Sequence, residues 1–159
     1  MELTFYTDYA LRVLIYAGLY RDRLCLVSEI AEHYRISRNH LMKVTNGLAR
    51  GGFVKTFRGK GGGITLALPP QKIRLGAVVR HMEGPIEPVE CFRAGNQCVI
   101  VGPCTLPPIL KDAFDSFLST LDGYTLADLL EGRAALVRRL SPGSANPKRK
   151  PRLAHAARR

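Results

Sequence analysis

Between Val27 and Leu68 the chain sets out two short helical patterns, a tight joint and two strand-like runs tipped with glycine, and few folds accommodate that order. Val27-Ser28-Glu29-Ile30-Ala31-Glu32-His33-Tyr34 reads as a short helix with Ser28 as its natural N-cap. Arg35-Ile36 make the turn, and Ser37 caps a second helix, RNHLMKVTNGLAR. Gly51-Gly52 end it, as expected where left-handed backbone is needed. Phe53 to Arg58 and Ile64 to Leu68 read as strands joined by Gly59-Lys60-Gly61-Gly62-Gly63. The sequence therefore predicts a mainly α fold with a small β-hairpin wing, a winged helix-turn-helix followed by a long dimerisation helix.

The flanks complete that layout. Thr4 can cap a first helix through DYALRVLIYAGLY, where Leu11, Leu14, Ile15 and Gly18 keep helical spacing. Ile73 to Met82 reads as a linker helix. After Thr105 comes a helix with prolines in its first turn, where a missing N–H costs little. Its apolar stripe is Ile109, Leu110, Ala113, Phe114, Phe117, Leu118 and Leu121, wide enough to pair with a second subunit. Thr125-Leu126-Ala127-Asp128 starts a last short helix in the manner of a capping box. The expected organisation is a DNA-binding unit at 1–70, a linker helix and cysteine loop at 71–104, dimerisation and terminal helices at 105–132, and a basic tail, expected to be disordered, at 133–159.

Charge narrows the partners. The 159 residues carry 24 Lys and Arg against 13 Asp and Glu. Six of those cations lie from Ser141 onward, a Pro-, Ala- and Arg-rich stretch that could add non-specific phosphate attraction. On the helix after Ser37, Leu41, Val44 and Leu48 share one side, and Asn39, Lys43, Asn46 and Arg50 fall opposite, with Arg38 and His40 on the flanks. Amides and cations suit the major groove, and Arg58 beside the glycines suits a narrow minor groove. The DNA-binding set is Ser28, Ser37, Arg38, Asn39, His40, Lys43, Arg58 and Lys60. GKGGGI lacks the order of a phosphate-binding loop, and no nucleophile–base or cofactor fingerprint appears, so no enzyme is expected. No run of 18 apolar residues and no leader pattern occur, which points to the cytoplasm without a membrane contact.

Cys91, Cys98 and Cys104 lie in CFRAGNQCVIVGPC, a stretch broken by Gly95, Asn96, Gly102 and Pro103. A disulfide would leave one thiol over, and the spacing is wider than a zinc knuckle. Spacing alone leaves an iron–sulfur cluster, zinc, and three thiols without a ligand role all open. Cys25, alone between Leu24 and Leu26, reads as a buried small hydrophobe. Asp8 is an acid in a first helical turn, where the helix dipole usually explains it.

The segments LTFYTDYALRVLIY, ISRNHLMKV, GGFVKTFRGKGGGITL, the cysteine loop and SFLSTLDGYTLADLL resemble the Rrf-type iron–sulfur repressors over about residues 1–131. RNH after Ser37 and YTLADL are most like the nitric-oxide-sensing members. That resemblance implies a homodimeric repressor of nitric-oxide detoxification genes that binds double-stranded operator DNA and takes nitric oxide as its signal. It implies an iron–sulfur cluster, 4Fe–4S ahead of 2Fe–2S, held by Cys91, Cys98 and Cys104, with a fourth ligand from the other subunit at the position of Asp8. Relatives usually place fewer residues between the first two cysteines than the six found here. The rival readings are a relative sensing iron or cluster supply through a 2Fe–2S centre and a zinc-stabilised DNA-binding module without sensing.

Overall fold

The computed structural model describes residues 3–59, 61–87 and 89–140. Helix α1 (Phe5–Leu19) lies at the centre of the fold, against four other elements. Thr4 caps it, its hydroxyl accepting from the Thr7 N–H at 3.4 Å. Ala10, Val13, Leu14, Ala17 and Leu19 are buried along α1. Helices α2 (Val27–Tyr34) and α3 (Arg38–Arg50) follow, joined by Arg35 in left-handed backbone at φ 55°. The Ile36 N–H closes the joint on the Ala31 carbonyl at 2.9 Å.

The helical pattern of α2 begins earlier than its capping residue suggests. Leu26 takes the N-cap position in extended backbone, and Ser28 lies inside the first turn without a capping bond. Val27 packs against the core, which draws the chain into helix before Ser28 is reached. Ser37 does occupy the N-cap of α3, again without a side-chain cap bond. At the end of α3 the left-handed glycine is Gly52 (φ 72°), whereas Gly51 is right-handed.

Strands β1 (Val54–Phe57) and β2 (Gly63–Leu66) form the antiparallel wing, with Val54 opposite Leu66 and Phe57 opposite Gly63. Each is shorter than its sequence pattern. Cys25 adds a bridge to Ile64 through both backbone bonds, at 2.9 and 2.8 Å, which pins the wing to the segment before α2. A side chain at Gly63 would meet the Cys25 carbonyl, so glycine is required for that approach.

The remaining helices are α4 (Leu75–Glu83), α5 (Leu106–Asp122), α6 (Leu126–Leu129) and α7 (Arg133–Leu140). The capping box at Thr125 forms as expected. Ile73, Val78, Met82 and Leu126 share one core with Leu14, Ile30, Leu41 and Ile64, so no core boundary falls at residue 70. The tail expected to be disordered from 133 starts instead with α7, whose Leu140 packs against that core. Residues 141–159 lie outside the described residues.

Helix α5 docks on α4 through its C-terminal turn. Gly76 admits it, because a Cβ there would meet the Leu118 carbonyl and the Asp122 carboxylate. Arg80 pairs with Asp122 at 2.5 Å, and Arg74 donates to the Asp122 carbonyl at 2.7 Å. Gly76→Ala should destabilise the protein by about 1–3 kcal/mol, the usual cost of overpacking, read as a lower midpoint in chemical denaturation.

Winged-helix face and cysteine loop

Helix α3 buries Leu41, Val44, Thr45, Gly47 and Leu48 and exposes Arg38, Asn39, His40, Lys43, Asn46 and Arg50. That division follows the helical repeat read from the sequence. The helix contains no acidic residue. With the described residues, none of Arg38, Lys43, Arg50, Lys55 and Arg58 forms an ion pair. Ser28 and Ser37 are also exposed. One exposed residue of this face escaped the sequence analysis: Met42, with 47% of its surface accessible.

Three contacts fix α3 from behind. Tyr6 donates from its hydroxyl to the Lys43 carbonyl at 2.8 Å. The His81 Nε2 lies 2.8 Å from the Gly47 carbonyl, and its ring packs edge-on against Phe53. Gly47 lies so close to Tyr6 that any side chain there would collide with it. At the wing, Arg58 is exposed beside Gly59 and Gly61, both at positive φ (93° and 81°), and Lys60 lies outside the described residues. The tip is tight: a side chain at Gly62 would strike the Phe57 carbonyl.

Asp8 sits in the first turn of α1 and is held by Arg12, whose guanidinium donates to both carboxylate oxygens at 2.9 and 2.6 Å. Arg12 also lies 5.9 Å from the Tyr34 ring centroid, which links Asp8 to the end of α2. The start of α1 is tied to α4, because Thr4 donates to the Glu83 carboxylate from its N–H at 2.9 Å and its hydroxyl at 3.0 Å.

Cys91, Cys98 and Cys104 are free thiols, each partly exposed. Cys91 lies in a 3-10 turn (Glu90–Phe92) that faces Pro107, Pro108 and Lys111 at the start of α5. The Gln97 N–H donates to Glu90 at 2.9 Å, and the Cys104 N–H donates to the Ile100 carbonyl at 3.2 Å. Gly95 and Gly102 turn the loop at φ 76° and 104°. Among the described residues of one chain, no three Cys, His, Asp or Glu side chains come together closely enough to hold a metal ion. The donor chemistry nonetheless suits an iron–sulfur group: three unpaired thiols on one loop, with glycine at the turns between them.

Cys25 is also a free thiol but differs in burial. It is fully buried, and burial pushes its thiol up to about 11. Alkylation of the native apo-protein at pH 8 should modify Cys91, Cys98 and Cys104 and spare Cys25, as read by mass spectrometry. A raised folded-state value means that ionisation favours unfolding. The contribution of Cys25 is thus complete below its ordinary 9.0 and lost as pH rises toward about 11.

An exposed cationic recognition helix, a tight joint before it and a glycine-tipped wing beside it define a winged-helix DNA-binding protein. A profile described as an iron-dependent transcriptional regulator, Rrf2, matches residues 3–132. The chain belongs to the Rrf2 family and is a DNA-binding transcriptional regulator. The regulator NsrR of Geobacillus kaustophilus is 48% identical over 138 residues, covering 86% of this chain and 94% of that protein. NsrR of Bacillus subtilis is 46% identical over 142 residues, covering 88% and 97%. The structure of CymR, the global cysteine regulator of B. subtilis, superposes with a TM-score of 0.61 at 28% identity over 81% of this chain and 95% of CymR. Among the described residues no helix is long and apolar enough to cross a membrane.

Proposed function

We propose that this chain is a nitric-oxide-sensitive repressor that acts as a homodimer, with Cys91, Cys98 and Cys104 of one subunit and Asp8 of the other holding an iron–sulfur cluster. The observation that carries the proposal is the set of three free thiols on one loop, in a chain nearly half identical to NsrR regulators along almost their whole length. Dimerisation rests on α5, a 17-residue amphipathic helix with no buried residue in the single chain. Its free edge, with Leu106 at 49% and Ile109 at 61% exposure, fits a second copy about a twofold axis.

When bound, the cluster supplies an iron site open to nitric oxide, and 4Fe–4S is the form we favour over 2Fe–2S. The chain's own part is to convert the state of the Asp8 carboxylate into the position of α3. Asp8 rides on α1, which is joined to α3 through Tyr6 and to α4 through Thr4 and Glu83. With Asp8 engaged across the dimer, α1 of one subunit is tied to the cysteine loop of the other. In the single chain Arg12 donates to both Asp8 oxygens within one helix, so a role for Asp8 across the dimer would compete with that pair. The difference alters the separation of the two recognition helices, which half-sites about 34–36 Å apart must match. A coupling of about 1.4 kcal/mol already changes affinity tenfold.

Operator contacts are assigned to Ser28, Ser37, Arg38, Asn39, His40, Lys43, Arg58 and Lys60. The test is Asp8→Ala. Assembled anaerobically, the variant should keep cluster absorbance on three thiolates, and nitric oxide should change its operator affinity about tenfold less than it changes the parent's. A variant whose response equals the parent's would remove Asp8 from the switch. The family description as iron-dependent supports a second reading, in which iron supply is the signal. Depleting iron without nitric oxide, with operator binding as readout, separates the two.

A further inference from the structure

The recognition helix presents cations and amides, and in their midst one large apolar side chain. Met42 is exposed over 47% of its surface, while every other exposed residue of α3 is polar or charged. Its neighbours along the helix surface are Arg38 and Asn39 on the N-terminal side and Asn46 on the C-terminal side, at spacings of three and four residues. It therefore stands among the groups placed to read base edges, not at the margin of the helix. Nothing in the core claims it: Leu41, Val44 and Leu48 fill the buried side.

A thioether in that position needs an apolar partner, and the surrounding charge says which. A helix with no acid of its own and with Arg38, Lys43 and Arg50 exposed suits a polyanion better than a protein surface. The major groove offers one apolar group, the C5 methyl of thymine. An unbranched methionine can reach and adapt to such a methyl where a β-branched side chain would be held stiffly. We infer that Met42 is a specificity-determining residue that packs its thioether against the C5 methyl of a thymine in each operator half-site. The inference rests on the repressor reading and adds to it the base that one side chain selects.

The experiment uses the full chain, loaded anaerobically with its cluster, and an operator obtained by selection from random duplexes. Each thymine is replaced in turn by deoxyuridine, which removes only the methyl. For the parent protein one such replacement should weaken binding about fourfold in one half-site and about fifteenfold in both, the worth of one and two buried methyl groups. Met42→Ala should bind the unmodified operator correspondingly more weakly and be indifferent to the same replacement. Because Met42 is half exposed, circular dichroism and the melting temperature of the variant should match the parent's. The inference is overturned if every thymine replacement affects parent and Met42→Ala equally, as a sugar or phosphate contact would give. A parent protein that selects no sequence would overturn the repressor reading itself, and this inference with it.

Discussion

Replacing any one of Cys91, Cys98 or Cys104 with Ala should abolish cluster assembly, leaving anaerobically purified protein colourless, while Cys25→Ala should still assemble it. Three thiolates are few for an iron–sulfur group, and with one removed too few strong ligands remain. The three are free and partly exposed, so their loss costs the fold little. Cys25 is fully buried and contributes backbone bonds to the wing, which Ala retains. Its variant should be less stable by about 1 kcal/mol, a small cavity, yet normal in cluster content. Iron and acid-labile sulfide per chain give the readout. Equal iron content in Cys98→Ala and the parent would exclude Cys98 as a ligand.

The second large effect concerns the dimer. Ile109→Glu should convert a dimer to a monomer at micromolar concentration, measured by sedimentation, without lowering the stability of the single chain. Ile109 is exposed over 61% of its surface, so Glu there disturbs nothing within one subunit. Across a twofold interface it counts twice. Two buried side chains at about 1.5–3 kcal/mol each, before any penalty for the carboxylates, raise the dissociation constant by about 10²–10⁴. Operator affinity should fall with it, because each half-site would then be bound alone. Phe117 is a poorer probe, since it is already partly buried in the single chain and its replacement would confuse folding with association. A dimer that survives Ile109→Glu would place the interface elsewhere.

What could be read from the sequence was what local periodicity and capping decide. The stripe Leu41, Val44, Leu48 placed the buried side of α3 correctly, because a helix of 13 residues averages over small irregularities. The glycine run marked the wing tip because Gly59 and Gly61 need positive φ. The capping box at Thr125 is wholly local and formed as read. Misjudged features depend on distant contacts. Ser28 has the residue type of a cap, but Val27 packs on the core and the helix starts before it. No local signal announced the Cys25–Ile64 bridge, the Gly76 seat for α5, or the donation from Thr4 to Glu83 across 79 residues. Helix α7 escaped because its arginines suggested a solvated tail, whereas Leu140 reaches the core. Met42 carries no local mark of exposure, because an apolar residue on a helix most often belongs to the core. Among the described residues of one chain the thiols form no closed site, and the proposed ligand set draws on two chains.

One measurement bears on the central claim most directly. Nitric oxide is titrated anaerobically into the cluster-loaded dimer bound to its operator, with cluster absorbance and operator occupancy followed in the same sample. The absorbance should bleach and the operator be released together, at the same ratio of nitric oxide to cluster, and apo-protein should bind weakly at every step. If the apo-protein holds the operator as tightly as the loaded form and nitric oxide changes neither, the winged-helix assignment stands and the nitric-oxide switch does not.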